Sequence, residues 1–179
     1  PRIPSPPLIT NTSALTTRCG MATRSHSSRL LPVANMRVAI IGQPFDPWTE
    51  VAAYQAAHPE LSGKYGGSTV FVGAMRDFNQ GAAVRAMTLE HYPAMTEKYL
   101  ARITQTASER WSLVDALVLH RYGDLQPGDP IVLVAVWAAR RAEAFAACRY
   151  IIDELKTRAP FWKRERTPTG ERWVEPESE

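Results

Sequence analysis

Lys156 and Lys163 stand on either side of Pro160, with Phe161 and Trp162 between them. In one unbroken helix the two lysines would share a face, roughly 10 Å apart along the axis. Pro160 prevents this, because it lacks an N–H and its ring clashes with the preceding turn. Upstream, Phe145, Cys148, Ile152 and Leu155 follow 3-4-3 spacing, which predicts a helix with one buried face. The residue before a proline is driven out of the helical region, so that helix should end near Arg158 or Ala159. If the chain turns there, Lys163 can come back toward Lys156, with Phe161 and Trp162 walling the space. Two ammonium groups in a partly apolar pocket make a site for an anion. The residues also fit a plainer arrangement, in which a basic helix end complements its own dipole and the aromatics pack beneath it.

Further cations flank predicted element ends: Arg76 after a strand, and Arg140 and Arg141 before the long helix. Converging with the lysines, they would hold a phosphate or carboxylate, arginine by paired hydrogen bonds and lysine as a point charge. Taken singly, each is better explained as solvated surface charge. No Ser-His-Asp or Cys-His pattern is visible, and His91, His120 and Cys148 fall in strand or helix patterns that suggest structural roles. Phosphate-loop and dinucleotide fingerprints are absent, and the four histidines show no metal-ligand spacing. Any catalysis would therefore rest on lysine and arginine electrostatics. The alternative is a non-catalytic module that binds an acidic protein tail or a nucleotide through its basic helix end.

The elements that must position these residues can be read in order. Residues 1–35 hold five prolines, four arginines and no acidic residue. Such a block cannot bury enough apolar surface to offset its ordering entropy, and is expected to be disordered. It reads either as a transit-type segment or as sequence upstream of a start at Met21 or Met36; its opening proline favours the second. From 36 to 179 a single domain is expected. Val38–Ile41 suggests an edge strand, and Asp46-Pro47 an N-cap with proline at the first helical position, opening a helix to about Ala57. Ser68–Met75 reads as a buried strand, then a turn at 76–81, then a strand from Ala83 to His91. That second strand alternates Val84, Ala86 and Thr88 with Arg85, Met87 and Leu89. An amphipathic helix follows from about Ala94 to Trp111. Val114–Leu119 and Ile131–Trp137 read as strands about a turn at 125–129, and 171–174 as a short last strand. Strands and helices mix without strict alternation, which predicts an α+β fold with a largely antiparallel sheet.

With 45% hydrophobic and 22% charged residues the composition is that of an ordinary globular domain, and a net charge of +3 gives no reason to expect nucleic acid. Two cysteines do not make a disulfide framework, and no apolar run is long enough to cross a membrane. A soluble, cytoplasmic protein is expected.

Three stretches together resemble one family. They are Thr88-Leu89-Glu90-His91-Tyr92-Pro93-Ala94-Met95-Thr96-Glu97-Lys98, then His120-Arg121-Tyr122-Gly123-Asp124-Leu125 with Pro127-Gly128-Asp129, then Leu155 through Glu165. In register from about Gly42 to Glu175, the chain resembles the large, catalytic subunit of molybdopterin synthase. The resemblance implies an α/β hammerhead-like fold with a small antiparallel β subdomain. It implies a homodimer of large subunits within a heterotetramer, each copy binding a small ubiquitin-like sulfur-carrier subunit. The carrier's C-terminal Gly-Gly, as a thiocarboxylate, would supply sulfur to cyclic pyranopterin monophosphate, giving molybdopterin for molybdenum cofactor biosynthesis. No bound cofactor or metal is implied. Lys156 and Lys163 match the family's catalytic lysines. Arg76 and Arg141 match residues that bind the substrate's anionic groups, the latter reaching across the dimer, and Phe71 and Ile152 match apolar pocket positions.

That chemistry suits the residues. A thiocarboxylate and a cyclic phosphate are both anions, so joining them needs concentrated positive charge in a site that excludes water. The partner supplies the nucleophile, which accounts for the missing triad. The family has His-Arg where this chain has Arg140-Arg141; arginine can still bind phosphate but cannot exchange protons near neutral pH. Ile152 stands where methionine is common, a nearly neutral change for packing.

Overall fold

The structure is a computed structural model that describes residues 36–174; the expectation for residues 1–35 falls outside them. Its frame is a four-stranded sheet in the order β1-β6-β8-β2, from β1 (Arg37–Ile41), β2 (Gly67–Ala74), β6 (Leu113–Arg121) and β8 (Pro130–Ala138). β1 runs parallel to β6 and the other pairs are antiparallel. Both faces of the two central strands are covered, so β8 is apolar at every step and β6 departs from this only at Asp115, His120 and Arg121. Ala116, Val118, Val134 and Val136 pack under two helices, α2 (Pro93–Trp111) and α3 (Arg141–Arg158). Leu117, Leu119, Leu133 and Trp137 face the other way, toward Tyr54 of α1 (Pro47–Ala57). Beside that core the Tyr54 hydroxyl donates to Asp115 at 3.0 Å, and burial holds the Asp115 carboxyl above its usual range.

Helix α1 begins as its sequence requires, with Asp46 Oδ1 accepting from the Thr49 N–H at 2.7 Å. Helix α2 buries Leu100, Ile103 and Ala107 and ends on Ser112 in the left-handed region. Helix α3 starts with Arg140 N donating to Glu143 Oε2 at 3.1 Å and stops at Ala159, whose extended backbone satisfies Pro160.

A second sheet, β10-β9-β5-β7, is wholly antiparallel and comprises β5 (Ala86–His91), β7 (Gly123–Leu125), β9 (Phe161–Thr167) and β10 (Gly170–Val174). Between the sheets, β3 (Phe78–Asn79) and β4 (Ala82–Ala83) form a hairpin. Its turn, Gln80-Gly81, has φ of 50° and 76°, the pair of positive values that a two-residue hairpin loop uses.

Three sequence expectations change, and one element appears that the sequence does not announce. Phe145 is not on the buried face of α3; it is 63% exposed, because that face is Ala144, Ala147, Cys148, Ile151, Ile152 and Leu155. The strand at 68–75 is an edge strand, paired only with β8, with Ser68, Phe71 and Ala74 exposed and the residues between them half-buried. Val84 does not alternate with Ala86 and Thr88: its N–H bonds Asp77 O outside the sheet, and its side chain packs with Met87 and Leu89. Finally, the stretch after Pro160 is a strand, which was not expected.

At the entry to β2 the backbone passes close to the loop before α3. A Cβ on Gly66 would lie 2.4 Å from the Ala139 carbonyl oxygen. Gly66→Ala is therefore expected to cost about 1–3 kcal/mol, read as a lower midpoint in denaturant unfolding. An unchanged midpoint would mean that this loop yields freely.

Candidate functional site

Strand periodicity explains how Lys163 reaches Lys156. On β9 the side chains of Phe161, Lys163 and Glu165 share one face, while Trp162, Arg164 and Arg166 take the other. The inner face closes over the C-terminal end of α3 and the edge of β2, leaving a cavity of about 420 Å³. Five of the seven residues singled out from sequence line it: Phe71 from β2, Arg76 just beyond β2, Ile152 and Lys156 from α3, and Lys163 from β9. Phe161 is in its wall as expected. Trp162 is not; it lies on the outer face, 51% exposed.

Arg140 and Arg141 are not part of this cavity. Both are exposed at the N-terminal end of α3, whereas Lys156 is in its last turn. Fifteen residues of helix separate Arg141 from Lys156 by roughly 22 Å. Within one chain the basic groups thus converge only in part.

The cavity's field is positive because its cations are left unneutralised. Among the described residues, Arg76, Lys156 and Lys163 have no ion-pair partner, whereas Arg37, Arg121, Arg149, Arg158, Arg164, Arg166 and Arg172 all pair with carboxylates. Arg76 lies over the Phe78 ring at 5.0 Å, which leaves its donors free at the rim. One carboxylate, Glu165, does line the cavity, but it is 4% exposed and its oxygens are occupied. Asn79 Nδ2 donates to one at 2.7 Å, and Arg172 Nε and Nη2 donate to the other at 3.0 and 2.9 Å. Arg172 Nη2 also donates to Asn79 O at 3.0 Å. This network ties the β3–β4 hairpin, which follows Arg76, to the second sheet.

Among the ionisable lining residues, sequence reasoning missed two. Glu165 shows no role in the sequence, because one partner, Asn79, lies 86 residues away and the other, Arg172, is brought opposite it only by the β9–β10 pairing. His120, assigned a structural role, lines the cavity. Its ring stacks on Phe161 at 3.9 Å and 17°, and its Nδ1 lies 3.0 Å from Arg121 O. Burial, with the charge of Lys163 contributing, pushes its pKa down to about 4, so the imidazole is neutral at working pH. Cys148 is buried and its thiol pushed up to about 11, which leaves it inert. Among the described residues no cluster of His, Cys, Asp or Glu could hold a metal ion, and no helix is long and apolar enough to cross a membrane.

A cavity with free cations, an apolar wall and no nucleophile can bind anionic reactants and stabilise charge as they combine. Comparison with known proteins gives this a context. A family model described as MoaE protein matches residues 42–158. The molybdopterin synthase catalytic subunit of Ralstonia nicotianae is 53% identical over 131 residues, covering 73% of this chain and 72% of that protein. The Escherichia coli protein of the same name is 48% identical over 145 residues, covering 80% and 92%. Among solved structures, the molybdopterin biosynthesis MoaE protein of Burkholderia ambifaria superposes with a TM-score of 0.66 at 48% identity, covering 80% of this chain and 91% of that one. Molybdopterin synthase of Staphylococcus aureus gives 0.68 at 30% identity, covering 77% and 96%.

Proposed function

We infer how the cavity works from one premise: the chain belongs to the MoaE family, the catalytic subunits of molybdopterin synthase. It is a sulfurtransferase of molybdenum cofactor biosynthesis. The sulfur comes from the C-terminal Gly-Gly thiocarboxylate of a small carrier subunit, threaded into the cavity, and goes to cyclic pyranopterin monophosphate. Lys156 and Lys163 draw the thiocarboxylate onto the substrate and stabilise the oxyanion that forms. Arg76, free at the rim, holds the phosphate, and Phe71 and Ile152 exclude water beside it. The reaction needs no cofactor of its own on this chain, because the carrier brings the sulfur.

Arg140 and Arg141 serve the substrate from a second large subunit, since roughly 22 Å of helix keeps them from the cavity of their own chain. The working assembly is a homodimer of large subunits with two carriers, acting in the cytoplasm.

The observation that carries this reading is the set of three unneutralised cations around one cavity whose carboxylate is already occupied. The test is co-purification with the small subunit, followed by a pterin-sulfuration assay. Carrier and substrate together should give molybdopterin; substrate alone should give none. A complex that binds the carrier without turning over the pterin would make this chain a binding module instead.

A further inference from the structure

Sulfur transfer from a thiocarboxylate leaves a second problem. Once the sulfur has bonded to the pterin, the carrier's terminal carbonyl carbon is still attached to it as a thioester. Release requires water. Its oxygen must bond to that carbonyl carbon, the C–S pair must leave on sulfur, and a proton must go to a base.

The cavity offers few bases. Guanidinium and ammonium groups have no lone pair to offer. The Glu165 oxygens are held by three donors, and the Asn79 amide is not basic. His120 differs. Its Nδ1 faces a backbone carbonyl, an acceptor, so Nδ1 carries the proton and Nε2 the lone pair. Nε2 makes no hydrogen bond to protein and is not among the sealed, unpartnered polar atoms. Stacking on Phe161 fixes the ring at the wall that also presents Lys163.

We propose that His120 is the general base of thioester hydrolysis, its Nε2 orienting the water and taking one of its protons. This rests on the reading of function given above. As the proton passes to Nε2, Lys156 and Lys163 stabilise the tetrahedral oxyanion. The C–S bond then breaks, the pterin keeps its sulfur, and the new carboxylic acid of the carrier gives its proton to solvent. His120 later returns the first proton to solvent. The titratable groups whose charge acts on the ring are Lys163 on β9 and His91 on β5. Burial is the main cause that holds the imidazole low; bound anions oppose the lesser one, the charge of Lys163, and so favour proton uptake at Nε2.

His120→Phe keeps an aromatic ring against Phe161 and removes the lone pair; His120→Asn keeps an N–H donor for Arg121 O and also removes the base. Both are assayed in the complex with thiocarboxylated carrier and cyclic pyranopterin monophosphate, in single turnover, with intact-mass spectrometry of the carrier. Expected is a fall of about 10²–10⁴ in product formation with accumulation of a carrier–pterin adduct that the unsubstituted complex does not build up. Thermal unfolding identifies which variant is folded, and that variant is read. Wild-type turnover in it, or lost turnover with free thiocarboxylated carrier and no adduct, overturns the proposal. If the unsubstituted complex makes neither product nor adduct, the fault lies in the reading of function rather than in His120.

Discussion

Lys156→Ala is expected to lower molybdopterin formation by about 10²–10³ while leaving the fold intact. The lysine is exposed in the last turn of α3 and has no ion-pair partner among the described residues, so its loss breaks no packing. A surface change of this kind shifts stability by no more than about 0.5 kcal/mol. The catalytic cost has another origin. Once the carrier tail and the substrate fill the cavity walled by Phe71, Ile152 and Phe161, the ammonium acts at a lower effective dielectric than in water, on the oxyanion as it forms. The loss should therefore fall on kcat more than on KM, and Lys156→Arg should rescue it only in part, because a planar guanidinium does not replace a compact ammonium. The measurement is steady-state sulfuration with thiocarboxylated carrier, beside thermal unfolding of the same preparation. Wild-type kcat in the alanine variant would remove Lys156 from the mechanism.

The two lysines were legible in sequence because Pro160 ends α3 where the spacing says it must. How Lys163 returns was not. Phe161–Thr167 places Phe161, Lys163 and Glu165 on its inner face, so the strand lacks the alternation of apolar and polar residues by which strands are recognised. The polar inner face exists because it lines a site. Phe145 misled for the opposite reason: an apolar residue at helical spacing suggests a core, yet the face that packs on β6 and β8 is carried by alanines and isoleucines beside it. His120 was read as structural because it ends an apolar strand; only the packing of β9 across it makes it part of a cavity. Arg140 and Arg141 adjoin the helix that bears Lys156, but sequence proximity to an element says nothing about which of its ends is reached.

The buried network at Glu165 carries the second large effect. Glu165 and Arg172 face each other across β9 and β10, and Glu165 also accepts from Asn79, which brings in the β3–β4 hairpin. Glu165→Ala would leave Arg172 and Asn79 without their acceptor at a nearly closed position. Removing one partner of a buried pair costs on the order of 3 kcal/mol, here lessened because Arg172 is 34% exposed. Activity should fall as well, through the hairpin: with Asn79 released, Arg76 and Phe78 lose the support that holds them at the rim. If so, Arg76→Ala should raise the KM for the pterin strongly in the native background and far less when Glu165 is already alanine, a non-additivity that a double-mutant cycle measures. Were Glu165 instead to act only by moderating the cavity's charge, Glu165→Gln would reproduce the whole kinetic effect with stability preserved, and the two losses would multiply. The cycle separates a carboxylate that positions a hairpin from one that tunes a field.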